Sequence, residues 1–186
     1  MEIFPDLELG LFNGWLLAAI FYLIFGILLV FLPKRVVARL YDRSGRRDSG
    51  VVRRALGLLL FLAWLLLVIL TPLRHGALVL AVGLAFYACG LTGFMVALFN
   101  YANTPADQPA TAGLYRISRH PQQFMISVSF LGISIAIGSW IALILIGIAI
   151  VAAHNKVLAE EEACLQMYGE SYRDYRERAP RYFLLF

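Results

Sequence analysis

Two clusters of ionisable residues flank the last long apolar run of the chain, and both consist of groups that bind or move charge. Arg119 and His120 stand immediately before that run, and three consecutive glutamates at 160–162 follow it. A guanidinium binds carboxylates through paired hydrogen bonds, an imidazole accepts a proton near neutral pH, and carboxylates stabilise cations. If the apolar run folds into a hairpin, both clusters return to one membrane surface, where we expect them to form a binding site.

The elements that must position these clusters are hydrophobic helices. Of the 186 residues, 61% are hydrophobic and 15% are charged, which excludes an ordinary soluble domain and indicates an integral membrane protein. Three apolar runs are each long enough to cross a hydrocarbon core of about 30 Å at about 1.5 Å per residue. They extend from Leu11 to Leu32, from Ala55 to Leu73 and from Ala77 to Phe99.

The fourth apolar run, from Gln122 to Ala153, is too long for one span. As a single helix it would measure roughly 48 Å, which modest tilt does not absorb. The Gly138-Ser139-Trp140 step near its middle is typical of a turn with an interfacial aromatic residue. The sequence therefore predicts an all-α integral membrane fold with about five transmembrane helices, which ends in a helical hairpin and a cytoplasmic helical tail.

The distribution of basic residues predicts the orientation of these spans. With five spans, segments 33–54, 100–121 and 154–186 share one side, and they hold 8, 2 and 5 of the 16 Lys and Arg residues. Only Arg74 falls on the opposite side. By the positive-inside rule, the N-terminus lies outside and the C-terminus is cytoplasmic. We expect the protein in a prokaryotic inner (cytoplasmic) membrane.

Several other features of the sequence favour structural roles over chemical ones. The basic loop from Pro33 to Arg54 is typical of a cytoplasmic segment that attracts anionic lipid headgroups. Because it lacks interleaved aromatic residues and any recognition motif, we do not expect a nucleic-acid partner. The stretch from Gly90 to Gly93 favours close helix packing over a cofactor loop, and neither Cys89 nor Cys164 indicates a metal site or a disulfide.

The tail after the hairpin shows a helical pattern. His154, Leu158, Glu161 and Leu165 fall on one stripe, which places Glu161 on an apolar face. Burying a carboxylate is costly unless a cation or donor meets it. The pattern therefore predicts that Glu161 meets Arg119 and His120, either in a binding site or in a purely structural Arg–Glu clasp.

The residues from Gly113 to about Tyr182 resemble a known family. They run in the order Gly-Leu-Tyr-Arg, Arg-His-Pro, apolar hairpin, paired Glu, Tyr-Gly-Glu-Ser-Tyr-Arg-Asp-Tyr and Pro-Arg. This order is similar to the isoprenylcysteine carboxyl methyltransferase and phospholipid methyltransferase superfamily, whose members are membrane enzymes that use S-adenosylmethionine. The resemblance implies two parts, a three-span membrane segment at 1–99 and a methyltransferase core at 100–186.

The resemblance also implies a site. It assigns catalytic roles to Arg119, His120 and Glu161. It implies that cofactor contacts come from Tyr115, Arg119, His120, Pro121, Glu160, Glu161, Tyr168 and Arg181. One position departs from the family pattern, because Gln123 stands where a Tyr is usual.

Physical chemistry supports a methyl transfer at such a site. Arg119 could bind the cofactor carboxylate as a fork, while Glu160 or Glu161 stabilises the positive charge of the cofactor. Methyl transfer is an in-line displacement that depends mainly on positioning. A carboxylate acceptor would need only a dry pocket, whereas an amine must lose a proton, with His120 or Glu161 as the candidate base.

The acceptor and the function class remain open at this stage. A membrane setting favours a lipophilic acceptor, either a prenylated carboxylate or a phospholipid amine, although a small apolar thiol or phenol also fits. One alternative is a non-enzymatic membrane protein with a structural Arg–Glu clasp. A membrane reductase that uses a nicotinamide cofactor is another, and a transporter is disfavoured because the spans carry no ionisable residue at mid-membrane depth.

Overall fold

The computed structural model describes residues 1–3, 5–42, 50–73 and 76–183. Over this part of the chain the fold is all-helical, with seven α-helices and no strand. The helices are α1 (Trp15–Phe31), α2 (Lys34–Tyr41), α3 (Val51–Leu70), α4 (Ala77–Ala102), α5 (Pro121–Ala136), α6 (Trp140–Tyr168) and α7 (Glu170–Arg178), with a short 3₁₀ turn at Gly113–Arg116 between α4 and α5.

Three of these helices, α3, α4 and α6, are long and apolar enough to cross a membrane. The apolar helices α1 and α5 are shorter, with 17 and 16 residues. The all-helical part of the prediction is therefore confirmed, with three helices that satisfy the length and composition of a span. The hairpin turn also lies where the sequence predicts it, because α5 ends at Ala136 and α6 begins at Trp140, with Ser139 as its N-cap.

The second helix of the hairpin differs from the prediction. α6 does not end near Ala153. It is 29 residues long, from Trp140 to Tyr168, so that the predicted tail helix is its second half. Residues 154–168 contain neither Gly nor Pro and are rich in Ala, Leu and Glu, which are good helix formers. The loss of hydrophobicity after Ala153 marks a change of surroundings, but nothing in the backbone ends the helix there.

Helices α4 and α5 pack against each other at very short distance. A Cβ atom on Gly90 of α4 would collide with the backbone and side chain of Ser129 on α5, and a Cβ atom on Gly132 would collide with the backbone of Tyr87. Small residues let helix backbones approach closely in the absence of a hydrophobic driving force. The expected packing role of the Gly90–Gly93 stretch is borne out by this geometry.

Polar side chains connect the other helices within the apolar core. The Tyr87 hydroxyl on α4 donates to the Leu17 carbonyl on α1 (2.8 Å), and the Trp64 indole on α3 donates to Ser134 Oγ on α5 (2.9 Å). Phe130 stacks on Trp64 with a centroid separation of 4.9 Å. Because the buried Tyr87 hydroxyl and Trp64 indole each have an acceptor, these contacts help to fix how the helices are arranged.

The N-terminal segment holds the opposite end of the molecule together. The Glu2 amide donates to the Gly138 carbonyl, and the Trp140 amide donates to the Glu2 carbonyl, so that residue 2 brackets the hairpin turn. The side-chain amide of the buried Asn13 donates to the backbone carbonyls of Glu8 and Ile69. These bonds satisfy backbone groups at the helix ends that would otherwise lack partners.

The basic loop contains a helix that the sequence did not predict. α2 occupies residues 34–41 of the segment from Pro33 to Arg54. Residues 43–49 of this loop and Arg74, which were used to predict the orientation, lie outside the described residues. The bounds of the loop are thus given by α1 on one side and α3 on the other.

Candidate functional site

Three parts of the chain converge at one end of the helix bundle: the start of α5, the second half of α6, and α7 with the residues that follow it. His120 is the N-cap of α5 and Pro121 lies in its first turn, where the missing N–H of proline costs nothing. Ser118 Oγ accepts from the His120 amide (3.2 Å) and donates to the Arg181 carbonyl (3.1 Å). The sequence just before the hairpin is thereby tied to the C-terminal segment.

A buried carboxylate lies at the centre of this region. Glu161 Oε1 accepts from Arg119 Nε (2.9 Å) and Arg181 Nε (3.1 Å), and Glu161 Oε2 accepts from Arg181 Nη2 (2.9 Å). His120 Nε2 lies 3.3 Å from the same Oε1. Glu161 is only 4% exposed. We call Arg119, His120, Glu161 and Arg181 the Glu161 clasp.

The electrostatics of the Glu161 clasp favour an ionised carboxylate. Burial by itself raises the pKa of Glu161, but hydrogen bonds from His120 and Arg181 and the charge of Arg119 outweigh burial and hold this pKa well below its usual range. A buried ion of this kind is stable only while its partners are in place. Glu161 therefore holds the site together, and its charge is already compensated by Arg119 and Arg181.

Arg119 also fixes the end of the chain. Its Nη1 donates to the carbonyls of Arg176 (2.8 Å) and Ala179 (3.1 Å), which are at the C-terminal end of α7. A cation is favoured there because the last carbonyls of a helix lack intrahelical donors and carry partial negative charge. The Arg119 amide also donates to the Pro180 carbonyl. The C-terminal segment thus packs over the start of α5 through Arg119.

A cavity of about 260 Å³ lies beside the Glu161 clasp, close to the lower end of the ~300–1,000 Å³ range of ligand pockets. Arg119 and His120 form part of its wall, whereas Glu161 does not. The wall also includes Glu160, Cys164 and Met167 from α6. A ring of tyrosines completes much of the lining: Tyr101, Tyr115, Tyr168, Tyr172 and Tyr175.

Several polar atoms on this wall have no protein partner. Among the residues that the structure describes, none forms a hydrogen bond with Nη2 of Arg119, Nδ1 of His120 or the hydroxyl of Tyr172. None of the three atoms is completely enclosed. Burial raises the pKa of the Tyr172 hydroxyl, so it stays protonated as a donor. All three side chains line the cavity, so these atoms offer hydrogen-bonding groups to a polar ligand there.

Tyr115 is held firmly in the cavity wall. Its hydroxyl accepts from Gln122 Nε2 (2.9 Å), and its carbonyl accepts from the Tyr175 hydroxyl (2.7 Å). The preceding Gly113 has a φ of +60°, a conformation that other residues adopt with strain. This lets the Leu114 amide donate to Asn100 Oδ1 at the end of α4 (2.9 Å).

The predicted site residues divide into two groups. Tyr115, Arg119, His120, Glu160 and Tyr168 line the cavity. Pro121, Glu161 and Arg181 do not line it, and the last two belong to the Glu161 clasp. The predicted fork from Arg119 to a ligand carboxylate would require breaking existing contacts, because Nε and Nη1 are already bonded to protein groups.

The predicted stripe on the tail is only partly right. Glu161 is buried as expected, but Leu158 is 39% exposed, and Val157 takes the inward position four residues before Glu161. The predicted pattern placed Leu158, three residues before Glu161, on the inner face, whereas the structure buries Val157, one residue earlier. Residues three and four positions before Glu161 both share its helix face, so the sequence pattern alone did not distinguish Leu158 from Val157.

Sequence reasoning missed other parts of the wall. Arg39 and Leu40 of α2 line the cavity together with Tyr101, and nothing in the basic loop distinguishes Arg39 from its neighbours. Tyr172 was part of the family resemblance but was not predicted as a site residue. Its place on the cavity wall comes from the fold, and no described residue forms a hydrogen bond with its hydroxyl.

Comparison with known proteins gives one match. The family model described as phospholipid methyltransferase matches residues 52–171, which is well over half of the chain. The matched region contains Tyr115, Arg119, His120, Glu160 and Glu161, and it ends before Tyr172 and Arg181. No curated protein and no solved structure shows a significant match to the chain.

Proposed function

The chain belongs to the phospholipid methyltransferase family, and on that premise we propose that it transfers a methyl group from S-adenosylmethionine to a lipophilic acceptor at the cytoplasmic membrane face. The observation that carries the proposal is the cavity beside the Glu161 clasp, where Arg119, His120 and Tyr172 present polar atoms that no described residue hydrogen-bonds. S-adenosylmethionine supplies an electrophilic methyl group on a sulfonium. The cofactor carries a carboxylate, an ammonium and this sulfonium, and the wall has groups suited to each.

The charges on the cavity wall match those of the cofactor. Arg119 Nη2 and the Tyr172 hydroxyl are donors suited to the carboxylate, as a single contact from each side chain. Glu160 lies on the wall, one residue from the buried Glu161, and is the carboxylate that we propose near the ammonium or the sulfonium. Glu161 and Arg181 act as positioning residues, because they hold Arg119 and His120 in place.

His120 is oriented for proton transfer. A carboxylate only accepts hydrogen bonds, so the contact to Glu161 Oε1 places the proton of the neutral imidazole on Nε2. The lone pair of Nδ1 is then available on the side without a protein partner. If the acceptor is an amine, His120 Nδ1 is the group that we propose to take its proton. A carboxylate acceptor would not need this step.

The proposed topology supports this location. We propose that α1 and α5 span the membrane together with α3, α4 and α6, which gives five spans with the N-terminus outside. The described basic residues at the cavity end agree with the positive-inside rule, since α2, the 3₁₀ turn and α7 all lie on the proposed cytoplasmic side. At about 24 Å, a 16-residue helix such as α5 needs a locally thinned bilayer or water at its ends.

The Glu161 clasp also favours a second candidate, a membrane protein without catalytic activity. A carboxylate bonded to two arginines and one histidine is what a purely structural clasp requires. That candidate, however, gives no reason for the unpartnered atoms of Arg119, His120 and Tyr172 on the adjacent cavity wall. The two candidates differ in whether the folded protein binds the cofactor.

The test is calorimetric titration of detergent-purified protein with S-adenosylmethionine and S-adenosylhomocysteine, followed by incubation of methyl-labelled cofactor with a lipid extract. We expect saturable binding of both compounds and label in the lipid fraction. Label released as methanol by alkali would identify a carboxylate acceptor, whereas alkali-stable label would indicate an amine, thiol or phenol. Folded protein that binds neither compound would leave the non-catalytic candidate.

A further inference from the structure

Helix α2 connects the cavity wall to the membrane surface. We propose that α2 is a surface-binding helix whose attachment to anionic lipid headgroups stabilises the outer wall of the cavity, with Arg39 as the positioning residue between the two. This inference rests on the proposed function for its cofactor readout, and a second readout below does not depend on it. α2 lies outside residues 52–171, so the family match says nothing about it.

α2 begins close to the point where the apolar helix α1 ends. α1 ends at Phe31, and α2 begins only three residues later at Lys34, after Pro33. α2 is amphipathic in its contacts: Val36 is buried, while Lys34 and Arg35 are exposed. The apolar side of α2 thus packs on the protein, while Lys34 and Arg35 face outward, where headgroups can reach them.

Arg39 fastens α2 to the end of α4. Its Nη2 donates to the Tyr101 carbonyl (2.7 Å), and its Nη1 donates to the carbonyls of Thr104 (3.1 Å) and Pro105 (2.8 Å). The guanidinium also lies over the Tyr101 ring, 4.1 Å from its centroid. These carbonyls are at or just beyond the C-terminus of α4, where a cation is favoured.

The same side chains form a wall of the cavity. Arg39 and Leu40 line it, as do Tyr101 and the segment 108–110 after α4. If α2 moves away from the end of α4, this wall loses Arg39 and Leu40, and Tyr101 loses the cation above its ring. The wall is therefore complete only when α2 is docked against the end of α4.

The exposed charges of α2 identify the partner that favours its docked position. Lys34 and Arg35 are exposed cations next to the end of an apolar helix, and anionic headgroups attract basic residues at that depth. A headgroup that binds Lys34 and Arg35 favours the docked position of α2, and Arg39 transmits that preference to the wall. By linkage, whatever stabilises the wall increases the affinity of a ligand inside it.

The experiment measures S-adenosylhomocysteine affinity in nanodiscs of phosphatidylcholine alone and with about one third phosphatidylglycerol. For the natural chain we expect roughly fivefold tighter binding in the anionic discs, the lower end of typical couplings. Lys34→Gln/Arg35→Gln should bind equally in both discs, at the affinity seen in phosphatidylcholine. Arg39→Gln should bind more weakly in both and lose the lipid response.

A matched control separates α2 from net charge. Arg53→Gln/Arg54→Gln removes the same charge from the first turn of α3, which contributes no described residue to the cavity wall, and it should keep the lipid response. A control that loses the response as completely as the α2 variant overturns the proposal. So does an equal gain from soluble glycerol phosphate in neutral discs, which would indicate general anion binding.

Hydrogen–deuterium exchange provides the readout that is independent of the cofactor. We expect amides of residues 34–41 and 101–110 to exchange more slowly in anionic than in neutral discs, and Lys34→Gln/Arg35→Gln to abolish the difference. Protection without any cofactor binding would support the α2 inference while the proposed function fails. Unchanged exchange in the natural chain would overturn the inference whatever the cofactor does.

Discussion

Glu160 and Glu161 are consecutive residues of α6, yet they lie in different surroundings. Glu161 is buried and bonded to Arg119, Arg181 and His120. Glu160 is partly exposed and lines the cavity. The difference arises because adjacent residues of a helix point about 100° apart, so only one of them faces the C-terminal segment.

The comparison shows that strong contacts and chemical capacity are separate properties. In the Glu161 clasp every oxygen of the carboxylate is used, so the clasp contributes rigidity. On the cavity wall, Arg119 Nη2, His120 Nδ1 and the Tyr172 hydroxyl have no hydrogen-bond partner among the described residues, so we propose that the wall contributes binding. Arg119 and His120 belong to both regions, and the clasp orients the atoms that the wall presents.

The largest expected effect is on the stability of the clasp. Glu161→Gln removes the charge that compensates two arginines, of which Arg119 is buried, and breaking such a buried pair typically costs about 3–5 kcal/mol. The free energy of unfolding or the thermal midpoint of the detergent-solubilised protein measures it. The matched change Glu162→Gln, at an exposed neighbour, should leave stability close to that of the natural chain. Equal stability of all three proteins would show that the clasp is not structural.

The second effect is the converse, on cofactor binding. Glu160→Gln should weaken S-adenosylmethionine binding by about tenfold, because a charge-assisted contact is lost. S-adenosylhomocysteine, which lacks the sulfonium charge, should be affected less if Glu160 is near the sulfonium. Titration calorimetry measures both affinities. The exposed neighbour Glu162 provides the control, since Glu162→Gln removes the same charge and should leave both affinities unchanged.

The third prediction contrasts two tyrosines of α7. Tyr172→Phe removes a hydroxyl that no described residue hydrogen-bonds, so stability should be retained while cofactor affinity falls about fivefold. Tyr175→Phe removes a buried donor to the Tyr115 carbonyl, which should cost about 1–2 kcal/mol of stability. Thermal unfolding and calorimetry on both variants separate the effects. The assignment of Tyr172 to the site is wrong if its loss affects stability alone.

The smallest expected effect concerns pH. Because the pKa of Glu161 is lowered in the folded state, its contribution to stability is complete above the ordinary value of 4.5 and is lost as the pH falls towards the folded-state pKa. At pH 4 the loss from this group should be about 1 kcal/mol. Unfolding measured from pH 6 to pH 4 should show this loss in the natural chain. Glu161→Gln should lack it, and an identical acid slope in both would contradict the role of Glu161.

Part of the site could be predicted because burying charge is costly. Glu161 was predicted on an apolar helix face, and such an acid needs a cation or a donor beside it. Arg119 and His120, at the other end of the hairpin, were the available partners, and both contact Glu161 in the structure. Arg181 was assigned by resemblance alone, and its bonds to Glu161 come from the way residues after α7 fold back. Arg39 could not be predicted, since it is one of eight basic residues in its loop.

The sequence by itself determined the helical membrane-type fold, the hairpin turn at Gly138-Ser139 and the partnership of Glu161 with Arg119 and His120, because hydrophobic length and unpaired charge are local properties of the chain. Only the tertiary structure decided which of two adjacent glutamates faces the cavity and which polar atoms remain without partners. It also decided that α2 forms a wall of the cavity. These outcomes depend on the packing of segments that are distant in sequence, and a difference of one residue in helical phase is enough to exchange a buried ion for a binding group.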